Sequence, residues 1–134
     1  MRVHEGHVGR VFALKLEPGD HLIADLARFA EERQIGTALV LFQGATGDAQ
    51  MVLGFRPYSP VGRDFDRISS SEHREVIGLG SITRANGKPK VHLHAGTGRG
   101  REVFIAHIEE ALTFGMEAFV VEVLGADLSS ASLL

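Results

Sequence analysis

Within Val91-His92-Leu93-His94-Ala95, two histidines stand two residues apart in a stretch with strand character. Side chains alternate between faces along a strand, so His92 and His94 project from one face while Leu93 enters the opposite, apolar layer. Two imidazoles held side by side can share one divalent ion, each through a nitrogen about 2.0–2.1 Å from it. A third donor has to come from a neighbouring element, and His107 in Phe104-Ile105-Ala106-His107-Ile108 is the candidate. Counting along an antiparallel hairpin whose loop is centred near Gly98 to Gly100 places His107 opposite residues close to His92; a bulge would shift that register. Three neutral imidazoles suit Zn²⁺, with Ni²⁺ and Cu²⁺ as chemical competitors. They leave at least one coordination position open, as catalytic zinc sites do. The same spacing also suits histidines on a solvent-facing sheet, satisfied by water or backbone.

Such an open position can lower the pKa of a bound water and polarise a carbonyl or phosphoryl group, which makes a zinc-dependent enzyme acting on a small molecule the alternative to a regulatory metal site. Metal chemistry of that kind usually draws on a carboxylate as base or orienting partner. Glu75, Glu102, Glu117 and Glu122 are the candidates, with their placement left open. The remaining histidines, His4, His7, His21 and His73, are scattered, and none makes the helical zinc-protease pattern.

The elements that must position these residues read as follows. Val8 to Leu16 alternates as a strand. Pro18-Gly19 breaks it, and Asp20 is the expected N-cap of a helix over residues 21–34. Leu22, Ile23, Leu26, Phe29 and Ala30 fall on one helical face, with Gly36 as the expected C-terminal cap. Thr37 to Phe42 is a nearly continuous apolar run, as in a strand buried on both faces. This opening is a strand–helix–strand unit, right-handed if its strands are parallel. Residues 44–48 read as a turn before a strand over 49–55, and the proline-bearing residues 56–62 as a loop before a polar edge strand. Glu75 to Thr83 and Lys90 to Gly96 are strands joined at Asn86-Gly87, the preferred pair for a tight hairpin. Gly96 to Gly100 reads as a loop, followed by strands over 102–108 and 118–124. The fold class is therefore α/β (α+β): a mostly antiparallel mixed sheet with a flanking helix.

A chain of 134 residues suits one domain, spanning 1–134 with a core over about 8–124 and loose termini at 1–7 and 125–134. Cysteine is absent, so a metal site must use His, Asp, Glu or water. The formal charge of −3 has the wrong sign for a binder of bulk nucleic acid, which works by neutralising phosphates. No run of about 18 apolar residues is present to span a bilayer, and the polar N-terminus lacks a signal core; a cytoplasmic protein is expected. Residues 84–101 carry Arg84, Lys88, Lys90, Arg99 and Arg101 without an acid, and Gly98-Arg99-Gly100-Arg101 echoes an AT-hook core. The pairs Arg84/Lys88 and Arg99/Arg101 fall at successive hairpin ends, however, on opposite edges of a sheet. A solvated basic loop is the commoner meaning of such a run. Gly96 to Gly100 lacks the Lys-Ser/Thr ending and the following helix of a phosphate-binding loop.

The chain resembles the PPC (plants and prokaryotes conserved) domain from about Gly9 to Leu124. The resemblance is carried by residues 9–20 (GRVFALKLEPGD), by Gly44-Ala45-Thr46-Gly47-Asp48-Ala49 with Leu53-Gly54-Phe55, and by Glu75 to Ile82 leading through Asn86-Gly87-Lys88-Pro89 into His92-Leu93-His94-Ala95. A Gly-Gly-His-Leu-like segment of the family stands here as Ile105-Ala106-His107-Ile108. The resemblance implies an antiparallel α/β domain that assembles as a homotrimer, with the three histidines as a metal site. Stand-alone members are often labelled candidate DNA-binding proteins, a label inherited largely from plant members with AT-hooks. A small-molecule ligand at the metal is also open.

Overall fold

Between residues 102 and 124 the apolar pattern alternates but changes phase twice. Ala106 and Ile108 are buried, then Ala111 and Thr113, then Met116, Ala118, Val120 and Glu122. One parity of a strand lies on one face, so each change of phase requires an inserted residue that bends the strand. The computed structural model, which describes residues 1–55 and 65–128, contains this stretch as one strand. Its elements are β1 (His7–Leu16), α1 (Leu22–Glu32), β2 (Ala38–Phe55), β3 (Phe65–Ser70), β4 (Arg74–Ala85), β5 (Lys88–Arg99) and β6 (Glu102–Leu124). β1 begins at His7, the last residue of the terminus expected to be loose. The loop expected over 56–62 and the end of the C-terminal tail lie outside the described residues, save for its start at 125–128.

Two expectations are corrected. The strands read over 102–108 and 118–124 are the ends of the single 23-residue β6. Likewise the turn at 44–48 is a bend inside the 18-residue β2. The reason is local: β2 and β6 lose register between Gly44 and Thr46, where Gly44 (φ +142°) crosses Gly115 (φ +118°) so closely that a Cβ on Gly44 would strike the Gly115 carbonyl. Glycine alone permits that approach without steric cost.

The sheet order is β1-β6-β5-β4-β2-β3, and a further β6–β2 pairing closes β6, β5, β4 and β2 into a ring. All pairings are antiparallel. β1 and β2 both run against β6, so they are parallel to each other with β6 between them. The polar β3 sits at the edge, as its composition predicts. No helix among the described residues is long and apolar enough to cross a membrane.

Helix α1 buries Leu22, Leu26 and Ala30 and packs against β5 and β6. Asp20 is not its N-cap. That position is His21, whose backbone N–H donates to the Asp25 carboxylate at 2.8 Å. Asp20 is drawn away because its backbone pairs with Thr113 of β6 and its carboxylate accepts the Glu17 N–H at 2.8 Å. Gly36 is not the C-terminal cap either. Gln34 takes the left-handed conformation (φ 54°) and donates to Glu31, while Ile35 donates back to Ala30 at 2.9 Å. Ile35 and Ala30 are both fully buried, and the helix closes two residues earlier than a cap at Gly36 would set.

The β4–β5 hairpin turns at Asn86 (φ 52°) and Gly87 (φ 75°), as its sequence predicts. On the inward face of β4, Gly78 and Gly80 leave room for Phe42 and Leu93; a Cβ on Gly80 would meet the His92 carbonyl and the Leu93 side chain. At the other end of the sheet, Glu122 is buried and accepts Arg10 Nε and Nη2 at 2.8 Å each, as well as the Arg10 backbone N–H at 3.2 Å. Arg10 sits in the irregularity of β1 between Val8 and Val11 and also donates to the Arg33 carbonyl, which ties the strand to the helix end.

Two outcomes follow from these contacts. Gly80→Val should destabilise the fold by about 1–3 kcal/mol through overpacking, read as a shift in denaturant midpoint. The Arg10 hydrogen bonds hold the Glu122 carboxyl down at about 2, against an ordinary value of 4.5. Its stabilisation is therefore present above pH 4.5 and lost as pH falls through about 2. Glu122→Gln should melt below wild type at pH 7, and the gap should shrink steadily between pH 4.5 and 2.

Candidate metal centre

β5 sends Leu93 and Ala95 inward, where they are buried beneath α1 and the facing strands. His92 and His94 consequently point outward. β5 pairs with β6 through Leu93↔Ile108 and His94↔His107, so His107 lies directly across from His94. The expected loop at Gly96 to Gly100 is shorter than its glycines suggest. The strands pair as far as Arg99↔Glu102, leaving Gly100 (φ 62°) and Arg101 as the turn. That moves the hairpin's centre toward residue 101 and His107 from the neighbourhood of His92 to the position opposite His94. Ile105 and Ala106, where the family pattern has glycines, are accommodated because Ile105 faces Gly96 and is exposed, while Ala106 meets Ala95.

The three rings form a near-equilateral group, with centroid separations of 5.0 Å (His92–His94), 4.9 Å (His92–His107) and 5.3 Å (His94–His107). Nε2 of His92 and Nε2 of His94 are 3.0 Å apart, and one ring nitrogen from each of the three lies within 4.8 Å of the others. Four tetrahedral zinc–nitrogen bonds of ordinary length would set neighbouring nitrogens about 3.3 Å apart, inside that range. The donor set therefore fits a tetrahedral ion with small ring adjustments. A second observation agrees: Nδ1 of His107 is buried and has no hydrogen-bond partner among the described residues. A buried polar atom is costly to leave unpaired, which leaves this nitrogen free to act as a ligand atom.

Electrostatics favour the form that binds metal. Burial, then the His94 and Lys90 charges, holds His92 below its ordinary value. His107 is lowered by burial and by His92 and His94, with Glu109 acting the other way and Lys90 adding a smaller depression. Both imidazoles are thus biased toward the neutral state, whose lone pair is the ligand.

None of the candidate carboxylates joins this group. Glu122 is committed to Arg10, Glu102 pairs with Arg74 at 3.3 Å, Glu117 accepts from Gln43 at 3.4 Å, and Glu75 is paired with Gly98 farther down the sheet. The carboxylate whose charge reaches His107 is Glu109, which is not among those candidates. Its signal was available, since it stands two residues after His107 and shares its parity on β6. Arg67 holds it at 3.1 Å. Lys90, read only as part of a basic run, shares the outward parity of His92 and His94 on β5. Of the basic residues at hairpin ends, Arg84 bonds Glu31 and the Ile35 carbonyl, and Arg99 pairs with Glu72 at 2.8 Å. Among the other histidines, His73 stacks on Phe114 at 3.9 Å, His21 opens the helix, and His7 pairs with Leu124. His92, His94 and His107 are the group of potential ligands among the described residues.

Comparison with known proteins gives a consistent setting. No curated protein matches the chain. A crystal structure of a metal-containing protein from Archaeoglobus fulgidus superposes with a TM-score of 0.86 at 27% identity, over 95% of this chain and 89% of that one. A plant- and prokaryote-conserved protein of Pyrococcus horikoshii superposes with a TM-score of 0.81 at 22% identity, over 95% and 87% of the two chains. A protein of Bacteroides thetaiotaomicron, named as a candidate for DNA binding, gives 0.75 at 21% identity over 94% and 87%. The model of the Plants and Prokaryotes Conserved (PCC) domain matches residues 3–124, and the chain belongs to that family.

Proposed function

We propose that this protein is a metal-dependent regulatory protein whose His92, His94 and His107 bind one divalent ion, zinc by preference, in a homotrimer. The carrying observation is the convergence of three imidazoles, two of them biased toward neutrality, with ring nitrogens within 4.8 Å of one another on two paired strands. The metal-containing relative from Archaeoglobus supports the same reading. When bound, zinc supplies a Lewis acid with one position left for water or a small ligand. The chain's part is to fix the three donors: β5 and β6 hold them through backbone pairing, and Leu93 and Ile108 lock the register from beneath.

Assembly is supported by the outer sheet face. Leu41 is paired with Leu79 on one side and Phe119 on the other, and these three, with Leu39 and Ile77, are between 40% and 69% exposed. A contiguous apolar patch of this kind marks an interaction surface rather than a resting surface. The occupant that fits the family resemblance is the same face on further copies of the chain. Direct DNA binding stands second. It draws on the names of relatives, and two of the basic residues that would serve it, Arg84 and Arg99, are already ion-paired at opposite ends of the β4–β5 hairpin.

Protein purified without an affinity tag should carry about one zinc per chain, measured by elemental analysis, with His94→Ala reducing it to background. Zinc-free protein that takes up no metal on incubation would end this reading. In sedimentation the wild type should run as three chains, and Leu41→Glu should shift it toward the monomer.

A further inference from the structure

The surroundings of the histidine group differ from side to side. Toward residues 103 and 105 the outward face is apolar: Val103, Ile105, Ile77 and Leu79 are each more than half exposed. In the other direction it is polar, with Ser81 paired to His92 and Thr83 paired to Lys90. Lys90, His92 and His94 occupy alternate positions of β5 and therefore share one face, with neighbours about 6.6 Å apart along the strand. The charge of Lys90 bears on His92 of its own strand and also on His107 across the β5–β6 pairing. Lys90 thus stands on the same outward face as the histidine group, next in line to His92 on β5.

A cation next to a divalent ion raises the energy of both unless negative charge lies between them. Glu109, whose charge reaches His107, is held by Arg67 and is outside the ligand group. Among the described residues no carboxylate belongs to that group, so the open position is suited to a ligand that brings negative charge. We infer that Lys90 and the three-histidine centre together form a binding site for a small anion with a carboxylate or phosphate-type oxygen pair, one oxygen toward the metal and one toward the lysine. This rests on the metal reading above. An ammonium group has three donors, so Lys90 can hold such an oxygen while keeping another partner. The apolar side of the group stays available for contact between copies of the chain.

The test uses the full chain loaded with cobalt(II), whose visible absorption reports a change of ligand directly. Sodium acetate and inorganic phosphate are titrated in turn at constant ionic strength, into wild type, Lys90→Gln and Lys90→Arg. A saturable spectral change in wild type, with affinity about tenfold weaker in Lys90→Gln and largely kept in Lys90→Arg at equal cobalt content, supports the site. Response to acetate alone assigns carboxylates, and response to phosphate alone assigns phosphate groups. If cobalt binds and neither anion alters its spectrum, or if Lys90→Gln binds as tightly as wild type, the anion site is overturned while the metal centre stands. Failure of wild type to bind cobalt removes both.

Discussion

Everything in this fold hangs on β6. It is hydrogen-bonded to β5 along its first third, to β2 along most of its length and to β1 along its last third. A straight strand could not serve three partners in these places and close a ring. The two phase changes in its buried residues supply the bends, each placed where β2 also slips register. The helix follows from the same geometry. Its entry is stitched to the bend of β6 through Gly19, Asp20 and His21, and Glu110 from that bend accepts the Ile23 N–H at 3.0 Å. Arg10 and Glu122 then fasten the far end, where β1, β6 and the helix exit meet.

The three-histidine group is a by-product of that scaffold in the sense that no loop takes part in it. All three histidines sit on paired strands whose other faces are core, so their Cα positions are set by backbone hydrogen bonds and by Leu93, Ala95, Ala106 and Ile108. Strands of this kind hold donors more closely than loops can. Partial burial adds to this by disfavouring the protonated rings of His92 and His107. The surroundings add a cation on one side and an apolar field on the other, which is an unusual combination for a surface patch of no purpose.

Most of this was legible in the chain where the local pattern is strict. Leu93 between two histidines gave the faces of β5, and Asn86-Gly87 gave its hairpin. What misled were glycines. Gly44 and Gly47 read as a turn because glycine ordinarily punctuates, yet both lie within β2, where Gly44 permits a close strand crossing. Gly96 and Gly98 read as loop, yet they lie in β5 opposite Ile105 and Val103. The helix caps were missed because tertiary contacts outranked side-chain preference: pairing with Thr113 captured Asp20, and burial of Ile35 forced Gln34 into the left-handed region. The outward apolar residues were visible as letters, but only the pairing of Leu41 with both Leu79 and Phe119 makes them a patch.

The pairing of Leu93 with Ile108, next to that of His94 with His107, has a further meaning. Because strand side chains alternate with a period of two, a slip of β6 by one residue against β5 would turn Ile108 out to water and His107 into the core. The hydrophobic layer therefore proofreads the ligand set. A molecule that has folded at all has already chosen the register that brings the imidazoles together, and it does so before any ion arrives. Under the metal reading proposed above, uptake and loss of an ion would need no refolding of β5 and β6.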